Sequence, residues 1–237
     1  MNYIGIDPSI ISTGVVINGK VFNYCRKSDA VKEKSVDSYT KWFDLCKDVI
    51  TYRYIDLTYV EGYSENEIQK MRMYDAASDI IISDINDNIR PDEPTQIAIE
   101  GYSYSSSAGD IIDLVTFSTL LRRKLLTVTT DITILSPSTL KHESCKLTYK
   151  PIEKQIGGKK PRTEYIYRNT LGIAGGSFNK TDMFGALVDN PEFNDEYCTF
   201  LKTHQTSILF TKTIKKPLED CNDAYLLYLF LLKRNPN

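Results

Sequence analysis

Four carboxylates stand where apolar secondary structure would keep an acid from water. Asp7 closes the apolar run Asn2-Tyr3-Ile4-Gly5-Ile6, and Glu100 closes Gln96-Ile97-Ala98-Ile99. Asp220 and Asp223 open a final apolar helix at i and i+3, a spacing that puts both on one face. An acid at the end of a buried strand is costly unless something pairs with it. Several acids converging repel one another and raise one another's pKa. A divalent cation resolves that conflict. Hard oxygen donors without a His or Cys cluster suit Mg²⁺, with Mn²⁺ as a substitute. Such ions in a carboxylate cage can activate water and stabilise the leaving oxygen of a phosphodiester.

Taken singly, each acid has a plainer role. Asp7 is a turn former before Pro8, Glu100 a solvated strand end, Asp220 an N-cap and Asp223 a first-turn acid facing the helix dipole. The four together, each at its own topological position, favour the metal reading. Glu61 competes with Glu100, because Tyr59-Val60-Glu61-Gly62-Tyr63-Ser64 repeats the local pattern of Ala98-Ile99-Glu100-Gly101-Tyr102-Ser103. Glu100 is preferred, since a cleaner buried strand precedes it, whereas Glu61 leads into an acid-rich helix and is expected on the surface.

The elements that must position these acids follow from local pattern. Residues 2–6 form a strand that stops at Asp7-Pro8. Residues 13–17 and 21–24 flank Asn18-Gly19, a type I′ hairpin signal. Helical spacing of Trp42, Leu45, Val49 and Ile50 predicts a helix over about 37–50, with an extra strand at 54–60. A long helix over 65–87, a strand at 96–100, a helix over 110–126 and a strand at 131–135 follow. Residues 142–176 lack periodicity and read as an insertion. Helices return at 180–189 and 193–203, a strand or hairpin is expected at 206–214, and Pro217 opens the last helix. A hairpin first, then strands alternating with helices, implies an α/β domain with a mixed sheet flanked by helices. Residues 1–237 are expected to be a single domain carrying a basic insertion at about 142–176.

The chain has 237 residues, 41 % apolar and 25 % charged, enough for a sizeable core. No apolar run is long enough to span a membrane, and the N-terminus lacks a basic signal-peptide region, so a cytoplasmic protein is expected. Five scattered cysteines without C-x-x-C read as reduced thiols. The net charge is only −2, but residues 29–100 hold sixteen acids against eight bases. Residues 141–168 hold eight bases against three acids, a local +5 that suits a polyanion or a solvated loop equally. His142 and His204 sit in no nucleophile motif, and no phosphate-binding P-loop is present.

The order of motifs resembles the RuvC-like Holliday junction resolvases of the ribonuclease H-like superfamily. The matching pieces are Ile4-Gly5-Ile6-Asp7-Pro8-Ser9 with Thr13-Gly14, then Ile97-Ala98-Ile99-Glu100, then Pro137-Ser138-Thr139-Leu140-Lys141. They continue with Gly175-Gly176-Ser177-Phe178-Asn179-Lys180 and Asp220-Cys221-Asn222-Asp223-Ala224. The resemblance implies a ribonuclease H-like sheet with Asp7, Glu100, Asp220 and Asp223 as ligands of two Mg²⁺ ions. It also implies Lys141 and Lys180 near the scissile phosphate and DNA backbone, where they would neutralise charge. A homodimer nicking opposed strands of branched, four-way DNA and leaving 5′ phosphates is the implied activity. The chain departs from the pattern in its longer, basic stretch between Lys141 and Gly175. It also carries Ser103 where the family has an aromatic wedge; Tyr102 or Tyr104 could stack on a base in its place.

Two other functions share this sequence logic. An actin- or hexokinase-like phosphotransferase also opens with an acid and a later glycine, but needs a second domain copy that is absent here. A non-catalytic DNA-binding or interaction module could keep the fold, although retention of all four acids speaks for catalysis.

Overall fold

The hairpin signal is met in full. In a computed structural model, β1 (Asn2–Asp7) and β2 (Ser12–Ile17) pair antiparallel, and so do β2 and β3 (Lys20–Arg26). Asn18 and Gly19 both take positive φ at the β2–β3 turn, as a type I′ turn requires. The structure describes residues 1–26, 43–56, 58–102, 108–148, 152–157, 162–166, 178–209, 214 and 216–234. These fall into two compact units, Met1–Pro137 with Lys215–Asn237, and Ser138–Ile214.

The first unit is built on a six-stranded sheet of order β4-β3-β2-β1-β5-β6, completed by β4 (Ile50–Ile55), β5 (Thr95–Glu100) and β6 (Ile132–Leu135). β5 runs parallel to β1, β6 parallel to β5, and β4 parallel to β3. With helices on both faces, this is an α/β architecture with a mixed sheet, consistent with the ribonuclease H-like class.

The period-two alternation of the strands divides the labour between faces. Ile4 and Ile6, Val15 and Ile17, Phe22 and Tyr24, and Ile97 and Ile99 form one buried core. Against them pack Met73, Ala77, Ile81 and Ile85 of α1 (Tyr63–Asn88) and Phe117, Leu121 and Leu125 of α2 (Ala108–Leu125). Burial of such aliphatic side chains stabilises by roughly 1.5–3 kcal/mol each. The alternate residues Gly5, Asp7, Ala98 and Glu100 therefore belong to the opposite face. There α7 (Leu218–Arg234) packs on β1, β2 and β5.

Gly5 and Gly14 let that helix come close. A Cβ on Gly5 would press on the Ala224 carbonyl oxygen and lie 2.5 Å from the Tyr228 nitrogen. One on Gly14 would press on the Asp220 carbonyl oxygen, 2.6 Å from its carbon. Both glycines are thus explained by helix approach.

The second unit holds α3 (Pro137–Thr148, from its second residue), an antiparallel pair β7 (Ile152–Ile156) and β8 (Arg162–Ile166), α4 (Lys180–Asp189), α5 (Glu196–Thr203) and α6 (Gln205–Leu209). A capping box fixes the start of α4: Asp182 N–H donates to Asn179 Oδ1 and Asn179 N–H to Asp182 Oδ2. Asp195 caps α5 by accepting from Cys198 N–H at 3.0 Å.

Four sequence expectations need correction. The helix expected to reach residue 50 stops earlier, because Ile50 begins β4; its residues 37–42 lie outside the described set. The extra strand is Ile50–Ile55 rather than 54–60, since the β-branched and aromatic run Ile50-Thr51-Tyr52 extends an edge pairing with β3. Residues 205–209 are helical, not a strand, with Ile208 N–H bonding back to the His204 carbonyl; residues 210–213 of the strand or hairpin expected at 206–214 lie outside the described residues. The aperiodic stretch contains α3 up to Thr148 and the β7–β8 pair, whose short strands and intervening Gly157 left no clear pattern.

Candidate metal centre

Asp7 and Glu100 immediately follow Ile6 and Ile99, the last paired residues of two adjacent parallel strands. Parallel neighbours end on the same side, so the two carboxylates emerge together. Asp223, on the helix that Gly5 and Gly14 admit, completes the group. One carboxylate oxygen from each of Asp7, Glu100 and Asp223 lies within 4.8 Å of the others. Asp7 is 5 % exposed and Asp223 1 %, whereas Glu100 is half-buried. Three anions packed this tightly with little water repel strongly.

The loop after Asp7 is tied to the sheet. Thr13 Oγ1 accepts from Ser9 N–H at 3.1 Å and donates to the Ser9 carbonyl at 2.6 Å. The end of β5 is held from the other side. Arg122 Nη2 donates to the Glu100 carbonyl oxygen at 3.0 Å, and its guanidinium lies 4.3 Å from the Tyr102 ring centroid. The Tyr102 hydroxyl is 3.1 Å from Thr119 Oγ1. One of the two proposed stacking tyrosines is thus already engaged in its own unit, and Tyr104 lies outside the described residues.

Asp220, 3 % exposed, shares the helix face with Asp223 but has a different neighbour. Its Oδ1 is 3.1 Å from Lys216 Nζ. Burial pushes the Asp220 carboxyl up, and Lys216 followed by Ser12 opposes that rise. Burial likewise works against the Lys216 ammonium, but Asp220, Asp7 and Glu219 overcome it and hold it protonated above its ordinary range. Lys216 Nζ also reaches Ser9 Oγ at 3.4 Å.

The expected residues distribute as follows. Asp7, Glu100 and Asp223 come together, Asp220 lies against Lys216, and Glu61 is exposed just before α1. Lys141 lies on α3 and Lys180 is the first residue of α4, both in the second unit. Gly175, Gly176 and Ser177 lie outside the described residues. Sequence reasoning missed Lys216 and Arg122. The first was legible as an i, i+4 partner of Asp220; the second had no signal separating it from Arg123 and Lys124 beside it.

The donor set fits a hard divalent cation. It is all carboxylate oxygen, two of its three members are nearly inaccessible, and a dication would offset the repulsion among them. Neither a protein-family model nor a curated protein matches the chain. Among the described residues, no helix is long and apolar enough to cross a membrane.

Proposed function

We propose that the chain is a metal-dependent, structure-selective DNA endonuclease of the RuvC-like kind, resolving four-way or other branched junctions as a homodimer. The observation that carries this reading is the meeting of Asp7, Glu100 and Asp223 at the ends of two parallel strands and on the closing helix. These are three of the four positions that the motif order marks as ligands.

Asp7, Glu100 and Asp223 would hold Mg²⁺ or Mn²⁺. A cation bound there supplies a water of lowered pKa and offsets charge on the phosphate. The burial of Asp7 and Asp223 lowers the local dielectric and strengthens their hold on a cation. Half-buried Glu100 is the member of the group through which a DNA strand would reach the cation. Arg122 fixes the Glu100 main chain through its carbonyl oxygen and so helps to hold the carboxylate in place. In the hydrolysis, water adds to phosphorus, the bond to the 3′ oxygen breaks, and a 3′ hydroxyl and a 5′ phosphate result. Lys141 and Lys180 are the proposed contacts to DNA backbone. The basic composition of residues 141–168 is compatible with a polyanionic partner.

The test is purified chain with a labelled four-way junction. Mg²⁺-dependent nicking is expected from the wild type and is lost in Asp7→Asn and Glu100→Gln, while junction binding persists. Equal cleavage by those variants rejects the assignment. Junction binding by the wild type without cleavage in Mg²⁺ or Mn²⁺ favours the non-catalytic module instead.

A further inference from the structure

We propose that Lys216 is a built-in cation of the acidic centre, so that the protein binds one divalent ion through Asp7, Glu100 and Asp223 while the lysine neutralises Asp220. The inference rests on the metal-dependent reading above, and it departs from the two-ion arrangement that the resemblance implies.

The four acids divide three to one. Asp7, Glu100 and Asp223 offer oxygens mutually within 4.8 Å, and Asp220 does not join that set. Its Oδ1 faces the Lys216 ammonium at 3.1 Å. The lysine side chain is partly exposed, but its ammonium is held at two points. It sits at i−4 to Asp220, before the first turn of α7, and reaches back across the fold to Ser9 Oγ at 3.4 Å. Ser9 is itself pinned by Thr13 in the loop that follows Asp7. Lys216 is therefore tied both to the helix that carries Asp223 and to the loop that leaves Asp7. Asp220 is 3 % exposed, so its charge needs a partner inside the protein, and the lysine supplies one at Oδ1 without a bound ion, while Oδ2 is buried without a hydrogen-bond partner among the described residues.

Charge makes the same division. A dication among the three clustered acids offsets most of their repulsion. A second dication at Asp220 would share that carboxylate with an ammonium already in contact with it and would meet a like charge. It binds there only if the lysine leaves. Arg in place of Lys216 preserves the positive charge, whereas Met preserves much of the length and removes the charge.

The experiment is Mn²⁺ binding to the full-length protein, with stoichiometry from calorimetry and spin coupling from electron paramagnetic resonance. One Mn²⁺ per chain with the spectrum of an isolated ion is expected for the wild type and for Lys216→Arg. Lys216→Met is expected to take up a second ion, spin-coupled to the first. Two coupled ions in the wild type would overturn the lysine's role and leave the nuclease reading standing, and a single ion in Lys216→Met would do the same. No Mn²⁺ bound, together with no cleavage, would defeat both. If Lys216→Met does not fold, the wild-type and Lys216→Arg stoichiometries decide the matter alone.

Discussion

Gly14 lies directly beneath the main chain of Asp220: a Cβ there would be 2.6 Å from the Asp220 carbonyl carbon and 2.9 Å from the Cys221 nitrogen. Gly14 is also the ladder partner of Asp7. The same residue thus sits beside one metal-ligand candidate and under the helix that carries another.

Gly14→Ala should therefore act at a distance. Its methyl meets backbone, which cannot rotate away, so α7 must lift from the sheet. The expected loss is about 1–3 kcal/mol of stability, or more, as for other overpacked sites. Urea unfolding measures it. Mn²⁺ affinity should fall as well, although the substituted residue touches no ion.

Removing one acid should relieve the clustered charge. Asp223→Asn is expected to raise the melting temperature in EDTA, because one of three crowded anions is gone. Added Mg²⁺ should raise the wild-type melting temperature by mass action and leave that of Asp223→Asn nearly unchanged. Thermal unfolding with and without Mg²⁺ checks both signs. A variant less stable in EDTA and equally responsive to Mg²⁺ would show that these carboxylates are not a cation site.

On the other side of the sheet, Asp84 of α1 ties two strands. Arg53 grips it through Nε at 2.9 Å and Nη2 at 2.9 Å, and the Tyr24 hydroxyl donates to it at 3.0 Å. Arg53 is largely solvated, so the ion pair by itself contributes little. The buried Tyr24 hydroxyl is the expensive partner to abandon. Asp84→Ala is expected to cost about 1–3 kcal/mol, and Arg53→Met clearly less. Denaturant midpoints of the two variants test that order.

Alkaline pH should weaken the fold through buried thiols. Burial pushes Cys25 and Cys46 up to about 12 from an ordinary value of 9.0. An unfolded chain releases those protons first, so stability falls as pH rises from 9.0 toward about 12. The slope is up to about 1.4 kcal/mol per pH unit for each thiol. Cys25→Ala with Cys46→Ala should flatten the decline in unfolding free energy. An unchanged slope would assign the alkaline loss to other groups.

The parts of the fold that were legible share one cause, local chemistry acting alone. Asn18-Gly19 specified its turn, and Asp7-Pro8 ended β1. Lys180 through Asp189 emerged with the expected bounds because Asn179 and Asp182 make a complete capping box. Failures came where tertiary partners outvoted pattern. Ile50 fits a helical stripe with Leu45 and Val49, yet the exposed edge of β3 recruits it as a strand. Residues 205–209 carry too little periodicity to distinguish one helical turn from a strand. The centre shows the same divide. Asp7 and Glu100 were legible because strand ends are local features. Which of the acids meet depends on where α7 rests over the sheet, which Gly5 and Gly14 determine from far away in sequence.

Anomalous diffraction from Mn²⁺-soaked crystals tests the central claim most directly, because it sees the ion and its ligands together. The expected result is a Mn²⁺ peak within about 2–2.5 Å of a carboxylate oxygen from each of Asp7, Glu100 and Asp223. Saturating Mn²⁺ with no peak among those three residues, or with peaks only at other acids, would contradict it.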